Sequence, residues 1–320
     1  MTGKRTNTNT NANTTANSRI YISRAQLLNI RHESSQAATR QTRRQNSNLT
    51  GDILSTIKGH GIEFADIRPY HPGDEVRHID WRTTARTGNP YTREYNEERQ
   101  HTIYLSVDQR INMFFGSELE FKSFSSARIA ATIAWAAVDR GYRLGGTVIG
   151  TAQEKLRYTG SVRTGPAKKT TLKLINELSL ANNALSIHCP TDRDEAAGLD
   201  QMLAHTLAHR PTGSTVYLIS DFHGFNKDTA RTLSAIGRKC HLVMIRISDP
   251  LEEQLPDSGP VGISDGTQHQ TIRLTHKRRQ MYLQNRQIFL DELQQSADSC
   301  GALLMHHQTN TSTNSQSNPE

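Results

Sequence analysis

What the chain has little of is the first guide to it. None of its 320 residues belongs to an apolar run near the roughly 18 that a membrane-spanning helix needs, so no segment reads as a span. The N-terminus carries two early positive charges but no apolar stretch behind them, so no secretory leader is expected. Cysteine is scarce: Cys189, Cys240 and Cys300 are odd in number and far apart, which suits neither a disulfide framework nor a zinc site. They read as small, largely buried residues of a reducing compartment, and the expected location is cytoplasmic. Hydrophobic residues make up only 34%, and mean hydropathy is −0.65. Part of that polarity sits in the two ends. Residues 1–18 and 308–320 are nearly all Asn, Thr, Ser, Ala and Gln, with no apolar surface to offset the entropy of ordering them, and are expected to be disordered tails.

Charge of one sign is also lacking. Thirty-eight Lys and Arg stand against 31 Asp and Glu, a net of +7, with the two signs interleaved rather than clustered. That balance makes nucleic acid an unlikely partner. A basic group, Arg40, Arg43 and Arg44, ends a helical segment over 19–50 in which Ser23 is a fair cap and Leu27, Leu28 and Ile30 form a narrow apolar stripe.

What is present begins with a polar block. Residues 51–101 are rich in Gly, Pro, Asp, Arg and His without helical periodicity, and read as a small β- and loop-rich subdomain. From Gly59 to Tyr95 it holds Glu63, Asp66, Asp74 and Asp80 among Arg68, Arg77, Arg82 and Arg86, with Trp81 at its centre. Convergent carboxylates of this kind suit a hard metal and phosphodiester hydrolysis. However, nearly every acid has an arginine within two or three residues, and planar guanidinium forks neutralise carboxylates while fixing their geometry. The favoured reading is therefore a structural lattice, with Trp81 and Ile79 plugged into the neighbouring core.

Beyond Thr102 the pattern changes to apolar runs of strand length, IYLSVD, LGGTVIG, STVYLISDF and HLVMIRIS, alternating with helical stretches near 121–141, 166–181, 194–210, 226–240 and 276–299. A hairpin near 260–274 and a last strand, GALLMHH, complete the set. Alternation of this kind predicts an α/β domain over 102–307, a mostly parallel sheet covered by helices on both faces. Ligands of such sheets bind beyond the carboxyl ends of the strands, where Asp108 and Asp221 fall. His205 and His209, four residues apart on a helix, lack a third ligand and read as surface.

The string G-x-E-F-x-D-x-R-x-Y-x-P-G-D-x-x-R-x-I-D-W-R-x-x-A-R, followed by R-E-Y-x-E-E-R, resembles the signature of the domain-of-unknown-function family 58. The segment VDQRINMFFGS resembles the start of that family's von Willebrand factor A-like region. The resemblance implies a von Willebrand factor A-like (Rossmann-like) sheet and a partnership with a MoxR-type AAA+ ATPase, as well as with other von Willebrand factor A-containing proteins. It also implies a non-enzymatic role in assembly, maturation or stress protection. Such domains usually carry D-x-S-x-S after the first strand, completed by a Thr and a later Asp, and bind Mg²⁺ there. Carried onto this chain, Asp108 matches the first Asp, Asn112 the second Ser and Asp221 the later Asp, while Thr164 and Thr170 are candidates for the Thr. Arg110 stands in place of the first Ser, and a guanidinium offers a cation no lone pair. The expected site is degenerate, with Arg110 a possible substitute for the metal, and no cofactor is certain beyond a possible Mg²⁺. The expected function is a protein-interaction module. The alternatives are a metal-dependent nuclease or phosphoesterase using the 59–80 carboxylates, and nucleic-acid binding through the basic N-terminal helix.

Overall fold

A chain whose apolar residues come in short runs must bury most of those runs on both sides, and the strands do so. In the computed structural model, residues 19–40, 67–71, 79–93, 101–152, 155–186, 189, 195–256, 259–264 and 269–310 are described. The principal sheet has β3 (Thr102–Gln109) and β6 (Thr215–Ser220) at its centre, and every residue of the two except Thr102 is buried. On one side follow β4 (Arg143–Ala152) and β5 (Lys155–Pro166), on the other β7 (His241–Ser248) and β10 (Leu303–Gln308). The order is β10-β7-β6-β3-β4-β5, parallel throughout except for β5, which turns back antiparallel on β4. This is a mixed α/β fold with a mostly parallel sheet, as the alternating pattern predicted. From β3 the chain moves outward to β4 and from β6 outward to β7, in opposite directions along the sheet, so the point where the topology switches lies between β3 and β6.

Successive residues of a strand face opposite sides, and the two apolar layers follow from that. Ile103, Leu105 and Val107 of β3 face α3 (Lys122–Asp139) and α4 (Ala167–Ala184), through Ile129, Ile133, Leu174 and Leu178. Tyr104, Val216, Leu218 and Met244 face α5 (Glu195–His209), α6 (Lys227–Gly237) and α8 (His276–Cys300), through Leu203, Leu233 and Leu293. Gly146 lets β4 lie close beside β3: a Cβ there would stand 2.8 Å from the Leu105 carbonyl oxygen. Between β7 and α8 come the single turn α7 (Pro250–Glu253) and the hairpin of β8 (Gly259–Ser264) with β9 (His269–Leu274). β10 continues the sheet to Gln308, and the buried Thr309 donates its hydroxyl to Asp249, which carries the ordered fold past the boundary read at 307.

The basic N-terminal segment is a docked helix. In α1 (Arg24–Arg40) Ser23 caps as expected: its hydroxyl accepts from the Gln26 amide, and the Gln26 side chain accepts in return from the Ser23 amide. Leu27 and Ile30 are buried against α3, and the Trp135 indole N–H donates to the Leu27 carbonyl at 3.0 Å. Arg31 lies over the Trp135 ring at 5.2 Å and pairs with Asp139. Arg43 and Arg44 lie outside the described residues.

The polar block contributes β1 (Ile67–Pro69), α2 (Trp81–Thr87) and β2 (Tyr91–Arg93), with β1 and β2 antiparallel. Asp80 is buried as the N-cap of α2, accepting from the amides of Arg82 and Thr83 at 3.0 Å each. Trp81 does not plug into a core as expected: it is 66% exposed. The reason is local. Asp80 takes the inward position at the cap, and in a helix of two turns that buries no residue the next side chain turns outward.

Candidate functional site

Two buried carboxylates meet at the switch point. Asp108 is the penultimate residue of β3 and is fully buried; Asp221 follows the last residue of β6 and is 9% exposed. They arise from the two runs that the sequence marks as strands ending on aspartate. A charge at such a depth needs a partner of opposite sign and a full set of donors.

Asp108 is closed from within its own loop. The Arg110 guanidinium makes a two-pronged contact, Nε to Oδ1 at 3.0 Å and Nη2 to Oδ2 at 2.8 Å. The Arg110 backbone amide adds 3.0 Å to Oδ1, and the Ser220 hydroxyl donates to Oδ2 at 2.6 Å. Arg110 is itself only 6% exposed, and its Nη2 also donates to the His223 carbonyl at 3.3 Å. Gly198 on α5 makes room for it: a Cβ there would fall 2.8 Å from Nη1 and 2.9 Å from Cδ. The loop is tied to β4 where the Ile111 amide donates to Thr151 Oγ1 at 3.1 Å.

Asp221 is closed from a distance. The Asn112 side-chain amide donates to Oδ1 at 2.8 Å and the His223 amide to the same oxygen at 2.9 Å. Lys122, the first residue of α3, donates through Nζ to Oδ2 at 2.8 Å, and through the same ammonium to Glu252 Oε1 on α7 at 2.6 Å. Burial alone disfavours charge on Asp221, but Lys122 and then Arg110 outweigh it and hold the carboxyl well below its ordinary range. Burial likewise pulls the Lys122 ammonium down, yet Asp221 and Glu252 win and raise it. Phe222, next to Asp221, adopts φ +58°, a left-handed conformation that a bulky side chain rarely takes, with its side chain fully buried.

The structure thus brings Asp108, Arg110, Asn112 and Asp221 together and adds Lys122, Ser220 and Glu252, which the sequence reading missed. Thr164 and Thr170 are not at this end. Leu144 pairs with Gly165 while Asp108 pairs with Ile149, so Thr164 lies at the far end of β4, and Thr170 hydrogen-bonds the Pro166 carbonyl. Thr151 is the threonine hydroxyl placed here. A divalent ion needs free oxygen lone pairs at open positions. Here both oxygens of each aspartate already accept from fixed donors, and two cations match two carboxylates. The Mg²⁺ implied by the resemblance does not fit this donor set.

Of the other sequence candidates, Glu63, Asp66, Asp74 and Arg77 lie outside the described residues. Arg82 and Arg86 are exposed on α2, and Arg68 lies in β1. His205 and His209 stack at 4.0 Å, with His205 Nδ1 3.0 Å from Thr147 Oγ1. Among the described residues no three His, Cys, Asp or Glu are grouped to hold a metal.

Residues 66–291 match the model of the protein family described as protein of unknown function DUF58. The chain belongs to that family. It is 32% identical over 219 residues to uncharacterized proteins of Mycobacterium tuberculosis and Mycobacterium bovis, a stretch covering 68% of this chain and 64% of theirs. Two solved structures are similar at low level. The conserved hypothetical protein BatB of Bacteroides thetaiotaomicron has TM-score 0.38 and 11% identity over 65% of this chain and 90% of that one. An aerotolerance-related membrane protein of Bacteroides fragilis has TM-score 0.37 and 12% identity over 65% of this chain and 92% of that one. At such scores the likeness carries no argument about fold detail or function. The cytoplasmic location is nevertheless corrected. It rested on missing apolar segments and on scarce, unpaired cysteines, neither of which says where a chain resides, and the words membrane protein are the description of the Bacteroides fragilis structure itself. No helix among the described residues is long and apolar enough to cross a membrane, which speaks to spanning segments and not to where the chain resides.

Proposed function

We propose that the chain is a non-enzymatic protein-interaction module, a von Willebrand factor A-like adaptor or substrate-presenting partner of a MoxR-type AAA+ ATPase, whose recognition face is the strand-end rim around Asp108, Arg110, Asn112 and Asp221. The observation that carries this reading is the mutual neutralisation of Asp108 with Arg110 and of Asp221 with Lys122. A general base or metal-bound nucleophile needs an available lone pair, whereas these groups spend theirs on holding two loops in one geometry. Beside them the loop 110–121 exposes Phe115 (37%) and Leu119 (39%), apolar side chains of the kind that anchor protein contacts. The family resemblance supplies the identity of the partner.

The test is co-purification of the MoxR-type ATPase encoded in the same genome with tagged wild type and with Phe115→Asp. Exposed Phe115 is a better probe than buried Asp221, because its replacement leaves the internal pairs intact. Loss of the ATPase with an unchanged melting temperature is expected; equal retention by both proteins removes the rim from the reading.

A further inference from the structure

Lys122 has two carboxylate partners that differ in kind. Asp221 is 8% exposed in its side chain and held by two further donors, so it cannot leave. Glu252 is 30% exposed in its side chain and sits on a helix of one turn. Among the described residues its other oxygen accepts from the Asp249 amide at 3.0 Å, within a capping box. The backbone of that turn is anchored independently of this carboxylate. The Tyr282 hydroxyl donates to the Glu252 carbonyl at 2.9 Å, and Glu253 pairs with Arg246 and Arg286 at 3.2 and 2.5 Å. The carboxylate of Glu252 is therefore free to swing to solvent while α7 stays in place.

The ammonium it would vacate is not isolated. Lys122 Nζ lies 5.7 Å from the centre of the Phe115 ring, and Phe115 and Leu119, both exposed, belong to the loop that leads into Lys122. An ammonium with one fixed carboxylate, one displaceable carboxylate and an apolar margin is built for a third carboxylate that carries an apolar neighbour. Exchange is neutral in charge, since one carboxylate replaces another, so the buried site never holds an uncompensated ion.

We propose that Lys122 is a binding point for an acidic side chain of a partner protein, flanked by an apolar residue that packs on Phe115 and Leu119, and that Glu252 is the internal carboxylate that holds the place until it is displaced. This deepens the interaction-module reading and rests on it for the nature of the partner. Arg110 cannot serve in the same way, because its fork is filled by the fully buried Asp108 and its flank is closed by Gly198.

The probe is N-acetyl-Glu-Leu-amide, with N-acetyl-Gln-Leu-amide as its uncharged counterpart, titrated while the Lys122 Cε resonance is followed by NMR. Glu252→Gln keeps the size of the side chain and an oxygen for the Asp249 amide, so the fold is retained. Removing an internal competitor lowers the apparent dissociation constant to the fraction of sites it had left open, and with about one-tenth open in wild type Glu252→Gln is expected to saturate with the Glu peptide at about tenfold lower concentration. The Gln peptide is expected to move Lys122 in neither protein. Equal saturation of wild type and Glu252→Gln, saturation of neither, or equal response to both peptides overturns the proposal. Co-purification of the ATPase separates the two readings: peptide failure with Phe115-dependent ATPase binding ends the carboxylate site alone, and peptide success without ATPase binding ends the partner assignment alone.

Discussion

The ends of β3 and β6 are neighbours in one sheet and each bears a buried aspartate, yet they are secured by opposite means. At β3 the counter-charge comes from two residues along the same chain, with both prongs of Arg110 on Asp108. At β6 it comes from Lys122, 99 residues away in sequence, and the same ammonium reaches a second, half-exposed acid 130 residues away. A local pair is a closed unit that the loop makes as soon as it forms. A long-range pair is made only when α3, β6 and α7 have assembled, so it reports the tertiary structure and can be rearranged by what touches its open side. The difference places rigidity at β3 and adjustability at β6.

The harshest way to break this comparison is Lys122→Met. It leaves Asp221 buried beside Asn112 without its ion-pair partner, and removal of one member of a buried pair costs about 3–5 kcal/mol. Urea unfolding should show a loss of that order. Lys122→Met combined with Asp221→Asn should recover a substantial part of it, because no charge is then stranded; a double variant as unstable as the single would mean that the ammonium matters for packing and not for charge.

How much of this was legible beforehand depends on whether the signal was local. Asp108 and Asp221 were placed from sequence because an apolar strand must be buried and ends at the first residue that water can reach. Arg110 was placed because it lies two residues from Asp108. Lys122 was not placed, since a lysine opening a helix ordinarily faces solvent. A signal did exist: Lys122, Ser126, Ile129 and Ile133 follow the i, i+4, i+7, i+11 spacing of the inward face of α3, and all four are buried. Glu252 had no such mark, because a helix of one turn has no periodicity to read. Trp81 failed for the converse reason. Its residue type suggested a core, but a two-turn helix with a buried cap has no inward face left to give it. The family string was legible throughout, and what it identifies is membership, while the geometry of the strand ends came only from the assembled sheet.

At the same end of the sheet, β10 solves the burial of a titratable group in a third way. His307 is 5% exposed, and burial, with Arg128 nearby, holds its imidazole down to about 4. The folded protein keeps it neutral where the unfolded chain, with an ordinary value near 6.5, takes up a proton. Its contribution to stability is therefore complete above about pH 6.5 and is lost progressively as pH falls to about 4, in total about 3 kcal/mol. Between about pH 7.5 and 4 the melting temperature of wild type should fall relative to that of His307→Leu, which has no imidazole to protonate. Parallel curves would show that another group governs the acid limb.

Arg110→Met probes the β3 side of the comparison. The Ser220 hydroxyl and the residue-110 amide still hold Asp108, as Asn112 and the His223 amide still hold Asp221 in Lys122→Met. The expected loss is therefore at the lower end for a broken buried pair, about 3 kcal/mol, without the second carboxylate, Glu252, that Lys122→Met also strands. The loss should be smaller than for Lys122→Met. A reversed order would mean that the local pair, not the long-range one, carries the assembly of this end of the sheet. Gly198→Ala should reproduce part of the Arg110→Met effect, since its new methyl group would stand where the guanidinium lies.

The smallest effect belongs to Glu252→Gln, and its smallness is what the comparison requires. If Glu252 were as firmly built in as Asp108, its neutralisation would cost as much as Arg110→Met. A pair with one partner 30% exposed keeps only part of its Coulombic worth, and the glutamine retains an acceptor for the Asp249 amide. The expected change is below about 1 kcal/mol, read as a shift of urea midpoint at constant slope. Lys122 also keeps Asp221, so its ammonium stays charged and in place. A loss of several kcal/mol would make Glu252 a structural partner of Lys122, and the open side of the β6 site would then have to be sought elsewhere on the rim.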